Sequence, residues 1–154
     1  MADRLTPEQR SRNMSRIRGK DTKPEMLVRR CLHSMGFRFR LHRKDIPGCP
    51  DIVLPRHRAV VFVHGCFWHL HGCPNSRMPA TRPEFWEVKL KRNAERDKDA
   101  QAGLKNAGWR VFVVWECALT GRERLSQEDL GKHLKGFLES SQTEGQVPHV
   151  PLPA

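Results

Sequence analysis

Two apolar segments, separated by a long charged segment, constrain the fold of this 154-residue chain more than any other feature. The segments "AVVFV" (59–63) and "WRVFVVWEC" (109–117) are largely apolar and are predicted to be buried strands. Residues 83–104 lie between them and are predicted to form one helix. A helical crossover makes neighbouring strands parallel, so their carboxyl ends meet at one edge of a sheet. The chain is therefore predicted to be an α/β domain with helices packed on a mixed sheet and functional loops at that edge.

Shorter patterns in the first half predict the elements around this unit. Residues 22–36 have the apolar spacing of an amphipathic helix, with Thr22 as its N-cap and Gly36 at its end. "FRFRLHR" (37–43) alternates apolar and basic residues, which favours a half-buried strand. "DIVL" (51–54) is predicted to be a buried strand.

The second half continues the alternation of elements. Thr81 and Glu84 have the spacing of a capping box, which would open the long charged helix. Ser126 is the predicted N-cap of a last helix. The proline-rich sequence that follows lacks periodicity and is predicted to be irregular. We therefore expect a basic arm at 1–20, a domain at 21–140 and an irregular tail at 141–154.

The charge of the chain indicates a polyanionic partner. Lys and Arg number 28 against 17 Asp and Glu, which gives a formal net charge of +11. Such an excess favours nucleic acid, with a merely basic surface as the alternative. The arm at 1–20 would neutralise phosphates and make binding salt-dependent. A solvated tail is the alternative interpretation of the arm.

The N-terminal sequence has no apolar h-region, and no run of about 18 apolar residues predicts a membrane-spanning helix. We therefore expect the protein in the cytoplasm. The reducing cytosol disfavours disulfides. The five cysteines of the chain are accordingly predicted to be thiols or metal ligands.

The segment "VFVHGCFWHLHGCPN" (61–75) concentrates side chains that bind metals. Cys66 and Cys73 lie in it, and Cys117 ends the second predicted strand at the same edge of the sheet. One histidine would complete a closed, tetrahedral and structural site with these thiols. The segment offers three candidates for that position: His64, His69 and His71. Free buried thiols are the alternative.

Other residues at this edge have chemistry of their own. Asp51 follows "PGCP" and directly precedes a predicted strand, where many magnesium-dependent nucleases hold an acidic ligand. A simple turn is the alternative there. Phe67, Trp68 and Trp86 are large rings near the cysteines and the helix start. Rings of this kind can enter a base stack and kink a duplex.

Three segments resemble, in order, the very short patch repair endonucleases: "PGCPDIVLPRHRAVVFVHGCFWHLHGC", "PATRPEFWEVKLKRNAERD" and "GWRVFVVWECALTGRE". The likeness begins at "RSRNMSRIRGKDT" and runs to about Leu119. It implies a restriction-endonuclease-like fold with a structural zinc and a magnesium-dependent active site. The implied reaction nicks one strand 5′ of the thymine in a T:G mismatch that arises from 5-methylcytosine deamination.

Carried onto matching positions, the resemblance implies two metal sites. Zinc would have four ligands: Cys66, His71, Cys73 and Cys117. Magnesium would be bound by Asp51 and the backbone carbonyl of Val63, where some members of that family carry threonine. His69 would activate the attacking water, while Glu25 and His64 would support the site through water and phosphate contacts. By its spacing alone, Glu25 also fits a capping box.

The resemblance also implies how DNA is held. Phe67, Trp68 and Trp86 would intercalate beside the mismatch, and the arm would clamp the other groove through three residues: Arg12, Met14 and Arg16. The implied partners are double-stranded DNA containing a T:G mismatch and the mismatch-repair protein MutL, with the enzyme acting as a monomer. The alternative is a non-catalytic, zinc-stabilised module that binds distorted DNA. This alternative assigns no role to Asp51 and His69.

Overall fold

A single five-stranded sheet with helices on both faces forms the described part of the molecule. The computed structural model describes residues 6, 8, 22–73, 76–122 and 124–148. Its helices and strands are α1 (Lys23–Ser34), β1 (Arg40–Leu41), β2 (Ile52–Leu54), β3 (Ala59–His64), α2 (Pro83–Asn106), β4 (Arg110–Trp115), α3 (Gln127–Leu138) and β5 (Glu144–Val147). The strand order is β1-β2-β3-β4-β5, antiparallel across the first three strands and parallel across the last three. This mixed sheet confirms the predicted α/β class and is consistent with the restriction-endonuclease-like fold.

The crossover predicted from the two apolar segments is present. Strands β3 and β4 are parallel neighbours joined through α2, and their last residues, His64 and Trp115, are paired. The loop after β3 and the short 3₁₀ helix Glu116–Ala118 after β4 therefore leave the same edge of the sheet. This edge carries the candidate site.

The sheet separates two apolar cores because neighbouring residues of a strand point to opposite faces. Val61 of β3 packs with Leu32 of α1 and Leu134 of α3 on one face. Val60 packs with Leu104 of α2 on the other face. The residues facing both cores are almost completely buried, as continuous apolar strands predict. None of the helices in the described ranges is long and apolar enough to cross a membrane.

Helix α1 has the predicted ends. The Thr22 hydroxyl accepts a hydrogen bond from the Glu25 backbone N–H at 3.3 Å, and Gly36 follows the helix with a φ of 85°. The buried face of α1 contains Val28, Leu32 and also Glu25, whose side chain is only 2% exposed. A carboxylate on a buried helix face requires partners within the protein.

Two local predictions were wrong. The N-cap of α2 is Arg82, which has a φ of 53° and makes no side-chain capping bond, so Thr81 and Glu84 form no capping box. Only Arg40–Leu41 of the predicted strand 37–43 pairs with β2. Its side chains still alternate, since Phe37 and Phe39 pack against the core while their basic neighbours are exposed. Pairing therefore covers only two of the three residues of β2, since Leu54 has no partner in β1.

The segment expected to be an irregular tail contains strand β5. It pairs in parallel with β4 from Val111 opposite Glu144 to Val114 opposite Val147. Arg110 holds the segment before β5 in place, because its guanidinium donates to the carbonyls of Leu138 and Ser140 at 3.0 and 2.9 Å. Tertiary hydrogen bonds therefore place a strand in a segment whose sequence has no hydrophobic periodicity.

Candidate active site and metal centre

Three thiols and one imidazole converge where β3 and β4 end. The donor atoms of Cys66, His71, Cys73 and Cys117 all lie within 4.8 Å of one another. Cys117 Sγ is 3.5 Å from His71 Nδ1, and the Cys117 backbone N–H donates to Cys66 Sγ at 3.4 Å. This is the donor set of a closed, tetrahedral zinc site.

Main-chain geometry and ring stacking bring His71 to this cluster. The His71 N–H donates to the Cys66 carbonyl at 3.0 Å, and the residues around it, Leu70 and Gly72, have φ values of 49° and 88°. The His71 ring stacks on Trp115 at 4.1 Å. Burial raises the pKa of the Cys66 thiol, so a bound cation would be needed to hold it as a thiolate.

Two carboxylates, one buried and one partly buried, form a second cluster with a histidine at the start of β2. Donor atoms of Glu25, His42 and Asp51 lie within 4.8 Å of one another. The Asp51 carboxylate accepts a hydrogen bond from the Val63 backbone N–H at 2.7 Å. Burial, and then the neighbouring Glu25 carboxylate, raise the pKa of Asp51 to about 7. A hard divalent cation would displace that proton and suit these oxygen donors.

Arg29 links this carboxylate pair to His42. Its guanidinium contacts the Glu25 carboxylate and lies 3.0 Å from His42 Nε2. His42 Nε2 also lies 3.3 Å from the Glu25 carboxylate, so the imidazole, the guanidinium and the carboxylate form one polar group. Sequence reasoning missed both residues. The four-residue spacing of Glu25 and Arg29 on one helix was a usable signal for Arg29, whereas no local pattern pointed to His42.

Two histidines and one aspartate form a third cluster beside the second. His69 Nδ1 lies 2.5 Å from the Asp97 carboxylate, and the His64 and His69 rings stack at 3.8 Å. A carboxylate partner favours the proton on Nδ1 and leaves Nε2 of His69 as a base. Burial, and then the charge of His69, lower the pKa of His64 to about 3, so that ring is neutral at physiological pH. Sequence reasoning missed Asp97, which lies on α2 in a run of charged residues.

The second and third clusters are neighbours, because they contact consecutive residues at the end of β3. The backbone of Val63 holds Asp51, and the next side chain, His64, stacks on His69. A cavity of about 270 Å³ opens beside the third cluster, lined by His64, His69, Asp97 and residues of the loop, α2 and β4. A cavity next to a carboxylate-paired imidazole has room for a water nucleophile.

Three rings project from the loop and from α2 as one cluster. Ring centroids of Phe67, Trp68 and Trp86 are separated by 5.1 to 5.8 Å. Asn93 of α2 donates to the Trp68 carbonyl at 3.2 Å and holds the loop against the helix. Phe85, which is 47% exposed, extends this surface and was not selected from the sequence.

Comparison with known proteins identifies the chain. The family profile described as "DNA mismatch endonuclease Vsr" matches residues 2–75. The DNA mismatch endonuclease Vsr of Escherichia coli (strain K12) is 42% identical over 147 residues, which cover 96% of this chain and 94% of that protein. The chain belongs to the Vsr family of DNA mismatch endonucleases. The family expected from the sequence motifs is confirmed.

Other relatives of this Vsr family member have names that specify nicking. The type II nicking enzyme V.XorIIP of Xanthomonas oryzae pv. oryzae (strain KACC10331 / KXO85) is 54% identical over 120 residues, 78% of this chain and 88% of its own. V.NmeAIP, named as the same type of enzyme, comes from Neisseria meningitidis serogroup A / serotype 4A (strain DSM 15465 / Z2491). It is 44% identical over 131 residues, 82% of this chain and 94% of its own.

In this Vsr family member, the structure brings together most of the residues selected from the sequence. The four predicted zinc ligands form one cluster, and Asp51 adjoins Glu25 and the Val63 backbone. His64 and His69 are stacked. The predicted DNA-binding residues of the arm lie outside the described residues: Arg12, Met14 and Arg16. Their roles stay predictions.

Proposed function

We propose that this endonuclease nicks one DNA strand 5′ of the thymine in a T:G mismatch formed by 5-methylcytosine deamination. One observation carries the proposal: the carboxylate pair of Asp51 and Glu25 contacts the Val63 backbone, and the next residue, His64, stacks on the carboxylate-paired imidazole of His69. The carboxylate pair provides ligands for a divalent cation, and the imidazole provides a base for water. Metal-assisted hydrolysis of a phosphodiester uses both.

The residues around Asp51 fit magnesium. Asp51 and Glu25 offer carboxylate oxygens, and Val63 adds a backbone carbonyl at the same strand end. The raised pKa of Asp51 reflects a buried pair of acids that lacks sufficient positive charge. When bound there, magnesium would stabilise charge on the scissile phosphate and on the leaving oxygen.

His69 acts as the general base in this proposal. Nε2 takes a proton from the attacking water, and Asp97 stabilises the resulting imidazolium through Nδ1. His64 stays neutral because it is buried, so it supports the site by hydrogen bonding to phosphate or water rather than by charge. Glu25 orients water beside Asp51.

Zinc in the Cys66, His71, Cys73 and Cys117 cluster would have a structural role. Four protein ligands leave no position for substrate. The segment between the first two ligands carries Phe67, Trp68 and His69. One closed metal site would therefore fix both the base and two of the rings that enter the DNA.

Double-stranded DNA containing the T:G mismatch is the proposed partner. Phe67, Trp68 and Trp86 would enter the base stack, where a wobble pair is cheaper to unstack than a Watson–Crick pair. The arm would clamp the opposite groove. We further propose that the enzyme acts in the cytoplasm as a monomer, is nucleoid-associated when bound to DNA, and contacts the mismatch-repair protein MutL.

A non-catalytic module that binds distorted DNA uses the same charge, zinc and rings. Incubation of the protein with a T:G duplex and magnesium, followed by a denaturing gel, separates the two functions. We expect one nick 5′ of the thymine, with no cut in a T:A duplex or in the presence of a chelator. An intact T:G duplex at saturating protein would support the binding module instead.

His69→Ala is expected to slow nicking by a factor of about 100 to 10,000, the usual contribution of general base catalysis. Asp97→Asn should slow it less, because the base remains and loses only its partner. Single-turnover rates on T:G duplex, with binding measured separately in the absence of magnesium, test this expectation. Wild-type rates in His69→Ala would remove the residue from the mechanism.

Trp68→Ala is expected to weaken binding to a T:G duplex by about 1–3 kcal/mol, the range for loss of one aromatic stack on a base. Binding to a matched duplex should change less, because phosphate contacts remain. Leu41→Ala, which removes a 39% exposed apolar side chain at β1, is the control and should change neither. Fluorescence anisotropy on both duplexes measures the difference, and equal losses would contradict a role in mismatch selection.

A further inference from the structure

A basic groove lies at the end of the sheet opposite the candidate active site. It has a volume of about 450 Å³ and lies between residues 36–40 and the turn Pro55–His57. Phe37, Phe39 and Pro55 supply apolar surface, and three exposed arginines supply positive charge: Arg38, Arg40 and Arg56. Among the described residues, no carboxylate lines this groove, which we call the distal groove.

The three arginines of the distal groove have no polar partner among the described residues. Within the described ranges, none of their guanidinium groups makes a hydrogen bond or a salt bridge. Nearby arginines differ, since Arg43 pairs with Asp45 and Arg58 donates to the Ala107 carbonyl at 3.1 Å. Unpaired charges of one sign around a concave surface concentrate a polyanion there.

The distal groove and the active site lie at opposite ends of the same elements. Glu25 lies in the first turn of α1 and Gly36 follows the helix, which is a separation of about 16 Å at 1.5 Å per helical residue. Asp51 precedes β2 and Pro55 follows it, about 13 Å apart at 3.3 Å per strand residue. The two sites therefore face opposite directions along the strands.

We propose that the distal groove binds the phosphate backbone of a second DNA segment while a first segment occupies the active site. The guanidinium groups would contact phosphates, which are recognised without regard to base sequence. DNA is stiff over about 150 base pairs, so a duplex at one end of the sheet reaches the other end only if it bends sharply. A second segment needs no such bend. The enzyme thereby passes from one DNA segment to another without dissociating into solution.

Direct transfer between duplexes tests this proposal without any cleavage. The protein is bound to a labelled 12-base-pair T:G duplex without magnesium, and unlabelled duplex is added at increasing concentration. For the wild type, the release rate should rise with competitor concentration, because both duplexes are bound at once. Arg38→Ala with Arg56→Ala should reduce that slope at least about tenfold and lower its salt dependence by about two phosphate contacts.

A matched control removes two charges elsewhere. Arg124→Ala with Lys135→Ala changes two exposed residues, one before α3 and one on α3, that lie outside the distal groove and have no ion-pair partner among the described residues; this variant should keep the slope. Thermal unfolding and single-turnover nicking of the short duplex should be unchanged in both variants.

A wild-type release rate that does not depend on competitor concentration overturns the proposal. A loss of affinity on a 40-base-pair duplex but not on the short one assigns the groove to flanking DNA of the same segment and also overturns it. Unchanged transfer in the arginine variant excludes DNA as the occupant and favours an acidic protein segment.

Discussion

Asp51→Asn is expected to reduce nicking of a T:G duplex at least about 1,000-fold, because a neutral amide cannot provide the charge that binds a catalytic cation. The amide oxygen can still accept the Val63 N–H, so the strand end keeps its geometry. Zinc content should be unchanged, since Asp51 lies outside the Cys and His cluster. Single-turnover nicking rates and metal analysis of the purified variant provide the two readouts.

The stability of the same variant without magnesium provides a control. Folding raises the pKa of Asp51 from 3.8 to about 7, so ionising it in the folded protein costs stability as pH rises between these values. Asn carries no proton to lose. Relative to the wild type, the variant should therefore gain stability from pH 4 to pH 7, measured by denaturant unfolding with a chelator of magnesium. Lost zinc, or nicking near the wild-type rate, would contradict the assignment.

Cys73→Ala is expected to lose the bound zinc and to destabilise the domain by at least about 3 kcal/mol, since zinc sites of this type contribute about 10–16 kcal/mol of apparent binding energy. The loop would also lose its anchor, and with it the position of Trp68 and His69. We therefore expect nicking and mismatch selectivity to fall together. Zinc analysis, thermal unfolding and anisotropy on T:G duplex measure the three effects.

Cys49→Ala is the matched control for the zinc site. Cys49 is exposed and lies outside the cluster, so its removal should leave zinc content and unfolding temperature unchanged. Cys73→Ala with one zinc per chain and wild-type stability would show that the cluster is not a structural metal site. Zinc loss from both variants would show that the thiols act non-specifically.

The sequence indicated the contact between Cys66 and Cys117 but not the contact of His69 with Asp97, and chain geometry explains the difference. Cys66 and Cys117 are 51 residues apart, yet each follows a buried strand, and parallel neighbours end at one edge. Local composition alone therefore indicated their contact. Asp97 sits in the charged helix α2, where an aspartate is ordinary on a solvated face. Only the packing of α2 places the Asp97 carboxylate 2.5 Å from His69 Nδ1.

The amino-acid sequence by itself determined the apolar strands, the crossover between β3 and β4, and the start of α1 and α3 at their N-caps, because strand burial and capping depend on a few neighbouring residues. The tertiary structure alone decided the pairing of β5 and the contact of Arg29 with His42. Each of these depends on hydrogen bonds or packing between segments far apart in the chain. Such contacts depend on the assembled sheet, and no local sequence pattern indicates them.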